Sequence, residues 1–96
     1  MKIPDSFKLG RYMWQVVHAY MPSTIYGRIY PGYKVVQINT HERKPKQQAE
    51  TFWHEITHAI LYDMGDPRWS DEKFVTAFSK RLNQVIQTAR FKDGTA

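Results

Sequence analysis

The stretch from Glu50 to Leu61, Glu-Thr-Phe-Trp-His-Glu-Ile-Thr-His-Ala-Ile-Leu, leaves this chain little freedom. Its apolar residues recur at helical spacing, so the segment reads as an amphipathic helix that must lay one side on a core. At about 100° per residue, Phe52, Trp53, Ile56, Ala59 and Ile60 form one broad apolar sector. His54, Glu55, His58 and Tyr62 fall on the opposite arc. Residues four apart share a helix face, so His54 and His58 can offer two imidazoles to one metal ion. Glu55 sits beside them, within reach of a water on that metal.

Around this helix the hydrophobic period changes. Phe7 to Leu9, closed by Gly10, reads as a short strand, and Tyr12 to Tyr20, rich in aromatic and β-branched residues, as a longer one, with a helix the alternative its length allows. Met21-Pro22-Ser23 breaks the pattern. Thr24 to Tyr30 is a third strand, with Gly27 a bulge or a point of close backbone approach. Tyr30-Pro31-Gly32-Tyr33 is turn chemistry, with glycine the residue expected to tolerate positive φ, and Lys34 to Asn39 is the return strand of that hairpin. Thr40 to Lys46 is a polar connection. A helix follows over 47–64, stopped by Gly65-Asp66-Pro67. Ser70 is the expected N-cap of a second helix whose core stripe is Phe74, Val75, Phe78, Leu82, Val85, Ile86 and Ala89. Residues 92–96 read as a frayed end. The expected architecture is α+β: a small, mainly antiparallel sheet followed by two packed helices, in one domain spanning residues 1–96.

Composition narrows the chemistry. The 96 residues include no cysteine, which excludes disulfides and thiolate metal sites and leaves His, Asp and Glu as ligands. No apolar run is long enough to span a membrane. Met1-Lys2-Ile3-Pro4-Asp5 lacks the apolar core of a signal peptide, so the cytosol is the expected compartment. The net charge of +5 raises nucleic acid as a partner, but the basic residues are scattered. Their one cluster, Arg43-Lys44-Pro45-Lys46, falls in the expected loop, and a solvated basic loop is the preferred reading.

A zinc hydrolase site takes three protein ligands and keeps a position for water, whose pKa falls to about 7 on the metal. His54 and His58 supply two ligands, and Glu55 is placed to take the proton of that water and return it to a leaving amine. Leu61 and Met64 occupy the positions where a metzincin carries Gly and His, so that class is excluded. A carboxylate from the second helix is the other common solution. Glu72 is preferred as third ligand. Asp71 is the rival, with a shorter reach. An acid in a first helical turn also has an ordinary role against the helix dipole. His18 and His41 read as surface or packing residues. Tyr26, Tyr30, Tyr33 and Tyr62 read as packing residues with wet hydroxyls, Tyr62 being the one on the histidine arc. Trp14, Trp53 and Trp69 read as core and lid packing.

The run Thr51 to Leu61, followed by Asp71-Glu72-Lys73-Phe74-Val75 and Phe78, resembles the small gluzincin metallopeptidases. It is similar in particular to compact zincin-like proteins of bacteriophages and prophages, distantly related to the ImmA/IrrE type of peptidase. The resemblance implies a minimal zincin-like fold in which His54, His58 and a carboxylate at the Glu72 position bind Zn2+ and Glu55 is the catalytic acid/base. It also implies a protein or peptide substrate, cleaved in the host cytosol, that adds as a strand along Lys34 to Asn39. The chain departs from the ImmA/IrrE pattern at Phe74-Val75-Thr76-Ala77-Phe78-Ser79, where a Glu-Ala pair usually precedes Phe-Ala. Two other classes are consistent with the residues: a zinc-stabilised binding module with little turnover, and a basic nucleic-acid-binding domain using Arg43 to Lys46.

Overall fold

A computed structural model describes residues 3–41 and 44–92. Strands β1 (Ser6–Leu9), β2 (Tyr12–Ala19), β3 (Gly27–Tyr30) and β4 (Val35–Asn39) precede helix α1 (Pro45–Asp63). A single 3-10 turn (Pro67–Ser70) joins α1 to helix α2 (Glu72–Thr88). The α+β class and the order of sheet then two helices are as expected.

The sheet runs β1-β2-β4-β3, with β1/β2 and β3/β4 antiparallel but β2/β4 parallel, so it is mixed. The expected β3–β4 hairpin is present, and β4 inserts between its partner and β2. Because neighbours on both sides take the β4 hydrogen bonds, residues 34–39 cannot receive an added peptide strand. The edge strand beside α1 is β3.

Alternation along the strands sets the core. Trp14, Val16, Val36 and Ile38 point to one face, against Phe52, Ile56 and Ala59 of α1. Burying a side chain of this size is worth about 1.5–3 kcal/mol. Phe7 stacks on Trp14 (centroids 6.0 Å apart) and meets Phe52 edge-on at 6.3 Å.

Several local expectations are corrected. Residues 24–26 are not strand, because Asn39, wholly buried, gathers the chain before β3 around itself. Its Oδ1 accepts from the N–H groups of Met21 (3.0 Å) and His41 (2.8 Å). Its Nδ2 donates to the carbonyls of Met21 (3.2 Å), Pro22 (3.0 Å) and Ile25. In the β3–β4 turn the positive φ falls on Lys34 (56°) rather than Gly32. Lys34 Nζ donates to the Pro31 carbonyl at 2.8 Å and lies 4.9 Å from the Tyr12 ring centroid.

Helix α1 begins at Pro45, two residues early. Proline suits a first helical position, and Lys44 N–H donates to Gln47 Oε1 at 3.0 Å. Lys46 therefore lies in the first turn of α1 and not in a loop, while Arg43 lies outside the described residues. The C-terminus closes where Gly65 and Asp66 predict: Gly65 takes φ +71°, its N–H donates to the Tyr62 carbonyl (3.0 Å), and Asp66 N–H donates to Leu61 (2.9 Å).

Asp71, not Ser70, caps α2, its Oδ1 accepting from Phe74 N–H at 3.1 Å. Ser70 is held in the 3-10 turn. Only Val75 and Ser79 of α2 are buried, and Phe78 and Val85 of the expected core stripe are exposed. The helix lies on α1 rather than on the sheet, so one row of its side chains is covered instead of a wide sector. Most of residues 92–96, expected to fray, lie outside the described residues. No helix among the described residues is long and apolar enough to cross a membrane.

Candidate metal centre

Helix α1 is covered on two sides, by the sheet and by α2, so its polar arc is only partly a solvent face. Glu55 and His58 are buried along with Ile56 and Ala59. The polar arc thus runs from the buried Glu55 and His58 to the half-buried His54, with the exposed Glu72 of α2 opposite it.

At that place three electron-pair donors converge. His54 Nε2 and His58 Nε2 are 3.2 Å apart. From α2, Glu72 sets Oε2 3.1 Å from His54 Nε2 and Oε1 2.8 Å from His58 Nε2. One ligand atom from each residue lies within 4.8 Å of the others, and the group could hold a metal ion. Glu72 is thus the carboxylate beside the histidines. Asp71, the rival, has its carboxylate committed to the α2 cap.

The remaining contacts fit an ion. His58 Nδ1–H donates to the Trp69 carbonyl, which leaves Nε2 bare and aimed at the other two donors. Bare nitrogens and a carboxylate at such distances repel one another unless a proton or a cation lies between them. Ligands about 2.1 Å from a tetrahedral ion stand about 3.4 Å apart, so the observed 2.8–3.2 Å separations need only a few tenths of an ångström of relaxation. Burial also lowers the pKa of His54, with Glu72 opposing the shift, and keeps it the neutral imidazole a metal requires.

Glu55 lies between the ligands in sequence and is turned differently. Burial raises its carboxyl to about 7, helped by the charge of Glu72 and opposed by His58. It faces β3, where Gly27 brings the backbone against α1. A Cβ at Gly27 would stand 2.7 Å from Thr51 Cγ2, 2.8 Å from the Gln37 carbonyl oxygen and 3.3 Å from Glu55 Cγ. The close approach expected at Gly27 is what places the β3 edge over Glu55.

The connector between the helices locates two of the ligands. Asp66 Oδ1 accepts from Arg68 N–H (2.9 Å) and Nε (3.1 Å), and its Oδ2 from Nη2 (2.7 Å). These bonds lower the Asp66 carboxyl to about 2. The turn they fix carries the Trp69 carbonyl to His58 and leads into the Asp71 cap, one residue before Glu72. Trp69 packs edge-on against Tyr62 at 5.3 Å. A backbone carbonyl has no sequence signature, and the role of Trp69 is not legible beforehand.

Two recesses meet at the centre. A groove of about 1120 Å³ runs from His54, Glu55 and Glu72 between α1 and α2. A smaller one of about 310 Å³ includes Arg28, Ile29, His58 and Trp69. Gly27, Glu55 and Glu72 line both.

Other candidates lie elsewhere. His18 is exposed on β2, and His41 stacks on Tyr20 with centroids 4.3 Å apart. Tyr62 is taken up with Trp69, and Tyr26 borders the larger groove. The chain matches no family model, no curated protein and no solved structure.

Proposed function

We propose that the chain is a zinc-dependent peptidase of the small gluzincin type, with His54, His58 and Glu72 as metal ligands and Glu55 as general base and acid. The observation that carries this reading is the convergence of His54 Nε2, His58 Nε2 and the Glu72 carboxylate while the other nitrogen of His58 is occupied by the Trp69 carbonyl. Two imidazoles and one carboxylate, with no thiolate in the chain, are a ligand set suited to zinc with one open position. When bound, zinc would supply Lewis acidity to a water nucleophile and to the carbonyl it attacks.

The protein's own groups account for the rest. Glu55, raised to about 7 by burial, can take a proton from water and deliver it to the departing amine near neutral pH. The sheet and α2 bury the Glu55 carboxyl itself, while the adjoining groove gives a substrate access to it. The outer edge of β3, Gly27–Tyr30, which no strand among the described residues pairs with, borders the centre and offers backbone donors and acceptors to an extended peptide. This moves the docking strand from the β4 residues to β3.

The test is cleavage of an unfolded protein by the zinc-reconstituted chain, its loss on chelation and its return with zinc. Absence of cleavage in every metal state would overturn the reading.

A zinc-stabilised binding module is the second reading, favoured by the thin packing of α2. With only Val75 and Ser79 buried, α2 would gain much of its hold on α1 from a metal ion shared by Glu72 and the α1 histidines. A large fall in melting temperature on chelation, with no cleavage at any zinc level, identifies this case.

A further inference from the structure

We propose that the outer side of α2 docks on an anionic membrane surface, lying along it without crossing it. The proposal rests on α2 and the residues that follow it, and not on the metal reading.

The two sides of the helix differ in kind. At 3.6 residues per turn, Phe74, Phe78, Val85 and Ala89 fall within about 60° of arc and form one apolar row. Phe78 is 49% and Val85 63% exposed, so α1 leaves the row open. Phe74 and Phe78 stack with centroids 5.9 Å apart, which continues the row toward the 3-10 turn. Beyond the last turn of α2, Phe91 is 58% exposed. Thr76, Lys80 and Gln87, which line the groove, fall on the opposite arc. Docking on the apolar row therefore leaves the groove uncovered.

Charge identifies the occupant. Between Glu72 and Asp93 the chain carries Lys73, Lys80, Arg81, Arg90 and Lys92 and no carboxylate. Arg81 borders the row, midway in sequence between Phe78 and Val85, and its Nη1 donates to the Ala77 carbonyl at 2.8 Å. A stem laid along the helix in this way can rest on apolar surface while the charge stays among headgroups. Arg90 and Lys92 flank Phe91. Asp66, Asp71 and Glu72 are gathered at the other end of the helix, so its C-terminal end approaches an anionic surface most closely. Apolar side chains with Lys and Arg beside them are the pattern of a helix lying at a membrane interface. A second copy of the chain fits less well. Pairing Phe78 with Val85 across a twofold axis would bring the two Arg81 side chains together with no α2 carboxylate to meet them. A row one side chain wide on a helix of 17 residues also falls short of the roughly 800 Å² that each partner buries in a stable protein interface.

The experiment is vesicle flotation of the full chain with phosphatidylcholine alone and with phosphatidylcholine mixed with phosphatidylglycerol, at low and high salt. The wild type should float with the mixed vesicles only, and less at high salt, where the attraction is screened. Phe78→Ser with Val85→Ser should weaken binding about tenfold, the loss of two half-inserted apolar side chains. Arg81→Gln should weaken it about fivefold, the worth of one cation near such a surface. All three positions are exposed, so both variants should keep the wild-type melting temperature. No binding to the mixed vesicles, or equal binding to the neutral ones, overturns the proposal. Binding that survives the Phe78 and Val85 exchange unchanged is adsorption of a basic protein and overturns it too. So does a dimer in gel filtration that the same exchange dissolves, which would assign the row to a second copy.

Discussion

Exchanging the two neighbouring carboxylates, Asp71→Ala and Glu72→Ala, should separate a structural role from a ligand role. Asp71 accepts the Phe74 N–H at the start of α2, and losing such a cap costs about 1 kcal/mol. In a domain of this size that lowers the melting temperature by about 4–8 °C. The loss should appear with and without zinc, because the Asp71 carboxylate does not touch the histidines. Glu72 has an exposed side chain, so its removal from the metal-free protein should cost little. Its effect should appear only when zinc is added. A ligand at about a hundred times its dissociation constant stabilises the folded state by about 2.7 kcal/mol, which corresponds to a rise of about 10–20 °C. Thermal denaturation of the wild type and both variants, chelated and zinc-loaded, gives the comparison. Asp71→Ala should melt lower in both states and keep the full zinc increment, whereas Glu72→Ala should match the chelated wild type and lose the increment. A full increment in Glu72→Ala, or its loss in Asp71→Ala, would refute the assignment.

Three further outcomes follow from the packing and charges. Gly27→Ala places a methyl 2.7 Å from Thr51 Cγ2 on α1 and 2.8 Å from the Gln37 carbonyl on β4, and should cost about 1–3 kcal/mol in urea denaturation, while no change would mean that β3 is not held this closely against either neighbour. Asn39→Ala removes the side chain that holds residues 21–25 and should cost about 2–4 kcal/mol, and Asn39→Asp should be worse because a carboxylate would face three carbonyls; a neutral result in either would contradict the network. In the metal-free protein the Glu55 carboxyl is raised from 4.5 to about 7, so folding favours its protonated form. Its contribution is fully present below pH 4.5 and is lost as pH rises through about 7, so the stability of the wild type relative to Glu55→Gln should fall across that window in chelator. A flat difference would mean that Glu55 is not buried as described.

Much of the candidate centre is legible in residues whose spacing is itself the geometry. His54 and His58 meet because helix positions four apart share a face, and Glu72 returns to them because Gly65-Asp66-Pro67 stops α1 and a short connector starts α2. Gly27 is legible as a close approach because glycine inside a strand pattern has few other reasons. What escaped depends on partners distant in sequence. The parallel β2/β4 pairing inserts β4 between β2 and β3, which local alternation does not encode. Asn39 reads as the end of a strand, yet it collects five hydrogen bonds from residues up to 18 positions away. The apolar stripe of α2 is correctly helical in period, but period alone does not say how much of it a neighbour covers. Asp71 carried a recognisable signal, a short polar acceptor three residues before the N–H of Phe74, and Ser70 competed for the same reading.

The comparison that bears most directly on the central claim is peptide cleavage by zinc-loaded wild type and Glu55→Gln, with zinc content measured on the same samples. One zinc per chain in both proteins, with cleavage by the wild type alone, is the predicted result. Cleavage that survives in Glu55→Gln at unchanged zinc content would contradict the assignment of Glu55, and a wild type that retains no zinc would contradict the centre itself.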